Sequence, residues 1–170
     1  DAYISDPDFV QIPVEHLLSK DYSASRSSEI DPEQAMKVVT GSTLQGDTTY
    51  FAIVDQQGNI VSCIQSIYFP FGSGITAQGT GILLQCRGAY FSLDPCHPNC
   101  LAPGKRTLHT LTASIVTKDK NPCLAFGTMG ADAQPQIHLQ VISRLLDFGW
   151  NIQDAIEAPR WVHGSRLEGG

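Results

Sequence analysis

Gly46-Asp47-Thr48-Thr49-Tyr50-Phe51-Ala52-Ile53-Val54 is followed by Asp55-Gln56-Gln57-Gly58-Asn59 and then by Ile60-Val61-Ser62-Cys63-Ile64-Gln65-Ser66-Ile67. The outer stretches are rich in β-branched and aromatic residues, and the middle one is a cluster of turn formers. The pattern predicts a β-hairpin with strands over residues 49–54 and 60–67. Pairing symmetric about Gln57 sets residues whose numbers sum to 114 opposite one another, so Ser66 faces Thr48. A tighter turn at Gln57-Gly58 slides the pairing by one residue. In both registers a second hydroxyl region returns to the head of the first strand.

A threonine hydroxyl is a weak nucleophile at its own pKa and needs a base beside it. A threonine at a chain terminus carries one, because its α-amine titrates near pH ~7.7–8.0. An internal threonine reaches that state when its hydroxyl attacks the preceding carbonyl. The peptide becomes an ester, which water then opens. The Asp47-Thr48 bond, past a Ser- and Gly-containing stretch and at a strand head, is a suitable place for such a cleavage. The plain alternative is an ordinary strand start, where threonine is favoured anyway. Acyl transfer also needs donors for a developing oxyanion. Gly127-Thr128-Met129-Gly130-Ala131 lies between a predicted strand and a predicted helix, where backbone N–H groups and the helix dipole can serve. The alternative there is a tight strand-to-helix connection.

The rest of the chain frames these segments. It has 170 residues and a net charge of -6, enough for one ordinary domain with a core. The absence of a basic run argues against a nucleic-acid partner. Apolar runs fall far short of the ~20 residues that cross a bilayer. The chain opens on Asp1-Ala2-Tyr3-Ile4, with no signal-peptide pattern and no initiator Met, and reads as a processed product or fragment of unknown compartment. A helix is predicted over 13–25, with Val14, Leu17 and Leu18 on one stripe, and a short one over 32–38. Residues 69–81 are a Gly- and Pro-rich turn or binding loop, 82–84 a short buried strand, and 92–110 a second long loop. Strands are predicted over 112–116 and 123–126, joined by a turn at 118–121. Helices follow over 135–148, stopped by Gly149, and 152–158, capped by Asn151 and Asp154 and closed by Pro159. Strands in the middle and helices at the ends give an α+β class with antiparallel sheet. Cys96-His97-Pro98-Asn99-Cys100 lacks the second ligand pair of a zinc site, and reads as a loop with free thiols or a local disulfide. His16, His138 and His163 read as helix-surface or core residues, and Trp150 and Trp161 as packing anchors.

Taken in order, Thr48-Thr49-Tyr50-Phe51-Ala52-Ile53-Val54-Asp55-x-x-Gly58-Asn59, Phe71-Gly72-Ser73-Gly74-Ile75, Gly81-Ile82-Leu83-Leu84, Pro103-Gly104-Lys105-Arg106, Gly127-x-x-Gly130 and Ala158-Pro159-Arg160 closely resemble the small subunit of the γ-glutamyltranspeptidase family. These are N-terminal-nucleophile (Ntn) hydrolases. Asp6-Pro7-Asp8-Phe9-Val10-x-x-Pro13 resembles the end of that family's large subunit. The resemblance implies a partial αββα four-layer sandwich. Residues 1–47 would be the large-subunit end and linker, and 48–170 a C-terminally incomplete small-subunit core. It implies self-cleavage between Asp47 and Thr48, with Thr48 as nucleophile, Ser66 assisting its hydroxyl, and Gly130 and Ala131 as the oxyanion hole. Ala131 replaces a glycine there but keeps its N–H. In the family's substrate pocket, His109-Thr110 stand where two serines hold the α-carboxylate. Tyr68, Arg87 and Tyr90 stand where polar and acidic residues hold the α-amine. Arg87 would repel an ammonium; facing the site it suits a second carboxylate, and facing solvent it says nothing. The implied function is hydrolysis or transfer of a γ-glutamyl or related acyl group from a small-molecule amide of glutathione type. The runner-up is a cephalosporin or glutaryl acylase. No metal or organic cofactor is implied. The implied partner is the remainder of the large subunit, in a heterodimer formed after cleavage. A non-catalytic, unprocessed relative and a binding module built on the Gly-rich loops are the alternatives of another class.

Overall fold

The structure is a computed structural model and describes residues 4–33 and 47–163. Contacts divide the chain into two compact units. One comprises Asp1–Val39 and Arg87–His109, the other Thr40–Cys86 and Thr110–Gly170.

The first unit begins with two short helices, α1 (Val14–Leu17) and α2 (Lys20–Ser28). The apolar stripe had suggested one helix over 13–25. Ser19 divides it: its backbone is extended (φ -71°, ψ 150°), and its hydroxyl accepts a hydrogen bond from Tyr22 N at 3.1 Å. A serine offered both roles favours the N-cap. Val14 and Leu18 stay exposed. The helix expected over 32–38 lies largely outside the described residues.

This unit is held by a carboxylate. The Asp6 side chain is 1% exposed. It accepts hydrogen bonds from Arg106 N (2.8 Å), Nε (3.2 Å) and a terminal guanidinium nitrogen (2.6 Å), which also donates to Asp8 at 2.7 Å. Ser5 Oγ donates to Pro98 O at 2.8 Å, and Lys105 Nζ lies 5.6 Å from the Phe9 ring centroid. Residues 5–9 are therefore bound to residues 98–106 by polar contacts.

In the second unit, β1 (Asp47–Val54) and β2 (Ile60–Tyr68) pair antiparallel, with Thr48↔Ser66 continuing to Val54↔Ile60. This is the register symmetric about Gln57. The turn explains it: Asp55 accepts hydrogen bonds from Gln57 N, Asn59 N and Asn59 Nδ2 at 2.9, 2.8 and 2.7 Å, and Gly58 takes φ +83°. β3 (Ala113–Lys118) and β4 (Asn121–Gly127) form a second antiparallel hairpin. Its turn residues Asp119 and Lys120 both have positive φ (52° and 67°), which matches strand twist. The two hairpins are separate sheets. Thr48, Tyr50, Ser62 and Ser66 share one face of the first. On that face the Tyr50 hydroxyl and Ser62 Oγ are 2.9 Å apart, and Ser62 Oγ donates to Ser114 O at 3.1 Å. The Tyr50 ring lies so close to Gly127 that a methyl there would sit 2.2 Å from it.

Next come α3 (Gln134–Leu146), with Pro135 in its first turn, and α4 (Ile152–Glu157). Gly149 (φ +67°) turns the chain between them, and Asn151 Oδ1 caps α4 by accepting from Asp154 N at 2.9 Å. Arg144 of α3 donates to Ala155 O at 3.2 Å. Phe126 of β4 meets His138 of α3 with ring centroids 4.9 Å apart. The order is hairpin, hairpin, helices: an α+β arrangement. A largely apolar cavity of about 500 Å³ lies between β4, α3 and α4. Two expectations fail here. Residues 82–84 are no buried strand: Leu83 makes one bridge to Thr76, while Ile82 and Leu84 are exposed. Trp150 and Trp161 are exposed as well, with Arg144 lying over the Trp150 ring.

Gly127→Ala is expected to lower the stability of the full-length protein by about 1–3 kcal/mol, since the Tyr50 ring must move. A urea midpoint equal to wild type would contradict the close contact. A second expectation concerns acid. Hydrogen bonds from the Arg106 side chain and then its backbone hold the Asp6 carboxyl well below the usual carboxylate range. Stability from a depressed pKa is present above the unfolded value, ~3.9, and is lost as pH falls below it. Asp6→Asn should therefore flatten the acid limb of the stability–pH profile below about pH 4; an unchanged limb would assign acid sensitivity elsewhere.

Candidate active site

Thr48 is buried, and its Oγ1 donates to Ser66 Oγ at 3.0 Å. Ser66 Oγ also accepts from Tyr68 N at 3.0 Å. The ladder shifts register between Asp47 and Thr48, which breaks regular pairing at that peptide bond. Across from it, Tyr68 has a left-handed backbone (φ 77°), uncommon for an aromatic residue. Its ring is buried against Phe69 at 4.1 Å. Local strain and a directed hydroxyl thus meet at one end of the hairpin.

Gly130 (φ 138°) and Ala131 (φ 47°) join β4 to a short 3-10 turn leading into α3. Ala133 N donates to Gly130 O at 2.8 Å. Among the described residues, the Gly130 and Ala131 N–H groups donate to no backbone carbonyl. Gln134, fully buried, accepts from Thr112 N at 3.1 Å and so ties the segment just after Thr110 to the start of α3. His138 is buried too, and desolvation lowers its pKa. The Nε2 atoms of Gln134 and His138 have no hydrogen-bond partner among the described residues.

Arg87, Tyr90 and His109 belong to the other unit. Arg87–Tyr90 is a 3-10 turn with the Arg87 guanidinium 5.5 Å from the Tyr90 ring centroid. Arg87 is buried, so the solvent-facing reading falls. Behind these residues sits one that motif reading missed. Asn99 is 2% exposed. Its Nδ2 donates to Tyr90 O (2.9 Å) and Thr107 Oγ1 (3.2 Å), and its Oδ1 accepts from Leu108 N (3.1 Å). It lies within Cys96-His97-Pro98-Asn99-Cys100, where the two thiols and the imidazole are the ligand-type groups and the amide is not. All five cysteines are free, and no group of three metal-ligating side chains comes together among the described residues.

The family model for gamma-glutamyltranspeptidase matches residues 1–168. The chain belongs to the gamma-glutamyltranspeptidase family. It is 48% identical to the glutathione hydrolase-like YwrD proenzyme of Bacillus subtilis, over 96% of this chain and 31% of that protein. It is 40% identical to an oxamate amidohydrolase proenzyme of Klebsiella pneumoniae, again over 96% of this chain and 31% of the relative. The crystal structure of a cephalosporin acylase from Bacillus halodurans superposes with a TM-score of 0.82 at 46% identity, covering 94% of this chain and 29% of that one. The chain thus spans about a third of the length of these family members, and its two hairpins and helices form part of an Ntn-hydrolase fold.

Ala131 in the left-handed region is a strained position in this family member. Ala131→Gly is expected to raise stability by about 1 kcal/mol. Thermal unfolding of the full-length protein checks this, and a lower midpoint would mean that the methyl group packs usefully.

Proposed function

We propose that the full-length protein is an amide-cleaving Ntn hydrolase, activated by self-cleavage between Asp47 and Thr48. The observation that carries this reading is the 3.0 Å hydrogen bond from Thr48 Oγ1 to Ser66 Oγ beside an irregular peptide bond. Thr48 Oγ1 attacks the Asp47 carbonyl, the C–N bond breaks, and the acyl group moves to oxygen. Water opens the ester, leaving a carboxylate on Asp47 and a free amine on Thr48. That amine then takes the hydroxyl proton as Thr48 attacks a substrate amide, and returns it to the leaving amine. The N–H groups of Gly130 and Ala131 hold the oxyanion. Water, or an acceptor amine, releases the acyl group. The proenzyme names of the relatives agree with cleavage.

The substrate is a γ-glutamyl or glutaryl-like amide. Tyr68, Arg87, Tyr90, His109 and Thr110 are the proposed contacts to its acyl part. As a contact to the acyl part, the positive charge of Arg87 favours a second carboxylate over an ammonium. This, with the similarity to a cephalosporin acylase, gives weight to the acylase reading beside the glutathione-hydrolase one. Residues 1–47 belong to the large subunit and 48–170 to the small one. The remainder of the large subunit is the proposed partner in the processed heterodimer. Phe51, Ile53 and Val61, exposed on the face of the first hairpin away from Thr48, suit burial by further protein.

Thr48→Ala is expected to stay a single chain and to lose turnover. Ser66→Ala, lacking one hydrogen bond, should slow self-cleavage by about 3–10-fold. Gel analysis of the full-length protein and parallel assays on γ-glutamyl and glutaryl anilides test the reading. Inactivity on both anilides would remove the substrate class. Normal turnover with the 47–48 bond intact would remove the mechanism.

A further inference from the structure

Asn99 spends its side-chain hydrogen-bonding capacity inside one loop system. Both Nδ2 protons are used, on Tyr90 O and Thr107 Oγ1, and Oδ1 takes the Leu108 N–H. Its own backbone N–H donates to His97 Nδ1 at 3.0 Å, which fixes the amide from behind. The groups it joins belong to two segments on either side of it, 8 or 9 residues away in sequence. One ends the 3-10 turn that carries Arg87 and Tyr90, and the other runs directly into His109. The same neighbourhood is braced from outside, where Arg106 N and its guanidinium are held by Asp6. A buried primary amide with every proton used specifies one geometry, because any displacement leaves a buried polar group unpaired.

We propose that Asn99 is a positioning residue for the acyl pocket: it sets the spacing between the Arg87–Tyr90 turn and the Leu108-His109 backbone. This rests on the reading above that Arg87, Tyr90 and His109 contact the substrate. Asn99 touches no substrate itself. A residue that only stabilises the fold reduces the fraction of active protein and leaves KM alone. One that sets pocket spacing weakens substrate binding per active site.

The test uses the processed full-length protein. Asn99→Asp keeps the shape and the acceptor for Leu108 N, but turns a lone pair toward the Tyr90 carbonyl and Thr107. Self-cleavage is followed on gels, active sites are titrated, and kcat and KM are measured on the better anilide, with glutarate as a competitive probe. The expected result is normal cleavage, kcat per active site within about threefold of wild type, and KM and the glutarate inhibition constant raised about tenfold. Unchanged KM and inhibition constant would overturn the assignment. Should Asn99→Asp fail to accumulate as folded protein, Thr107→Val decides instead. Losing one acceptor should raise both constants about twofold to threefold, and wild-type values would overturn the assignment. Wild-type inactivity on both anilides overturns the substrate reading and this assignment with it. A variant equal to an active wild type overturns this assignment alone.

Discussion

Tyr50 joins the two hairpins of the second unit from the strand that carries Thr48. Its ring fills the space that any side chain at position 127 would need, and its hydroxyl meets Ser62, which reaches the Ser114 carbonyl. Two residues before Tyr50 stands Thr48, and three after Gly127 stands Gly130. The contact therefore sets the separation between the strand that carries the proposed nucleophile and the loop proposed to hold the oxyanion. Packing here does what a covalent link would do elsewhere: it couples two hairpins that share no ladder hydrogen bonds.

The hairpin register follows from the turn. Asp55 gathers three donors from its own loop and thereby selects one pairing over its neighbour. A slip by one residue would send Thr48 to the opposite face, away from Ser66. At the far end of the hairpin the register shifts, and Tyr68 takes its left-handed backbone there. Order at one end and irregularity at the other put a directed hydroxyl next to an irregularly paired peptide bond.

Local chemistry made the hairpins, the capped helix α4 and the Gly149 stop readable from the residues, because each depends on neighbours within a few positions. Thr48 opposite Ser66 was legible for the same reason. The division of the first helix at Ser19 was less so, because the apolar stripe and the capping hydroxyl made competing claims. Ile82 and Leu84 read as buried by hydropathy, yet burial depends on what lies across from them, and that is non-local. Asn99 was hidden in another way. Its partners are Tyr90, Thr107 and Leu108, and nothing in a motif announces that an asparagine will point inward. Arg87 likewise is buried, and no local pattern around a charged residue announces that.

The first unit is assembled from residues on both sides of the Asp47-Thr48 bond. Severing that bond would thus convert a loop-closure problem into an association problem without changing any contact inside the unit. The segment that holds Asp6 would then stay with the segment that holds Arg106 through that pairing and its neighbours, and no longer through the chain between them. Ionic strength and acidity, which act on that pairing, would then weaken this one contact between the two products of maturation.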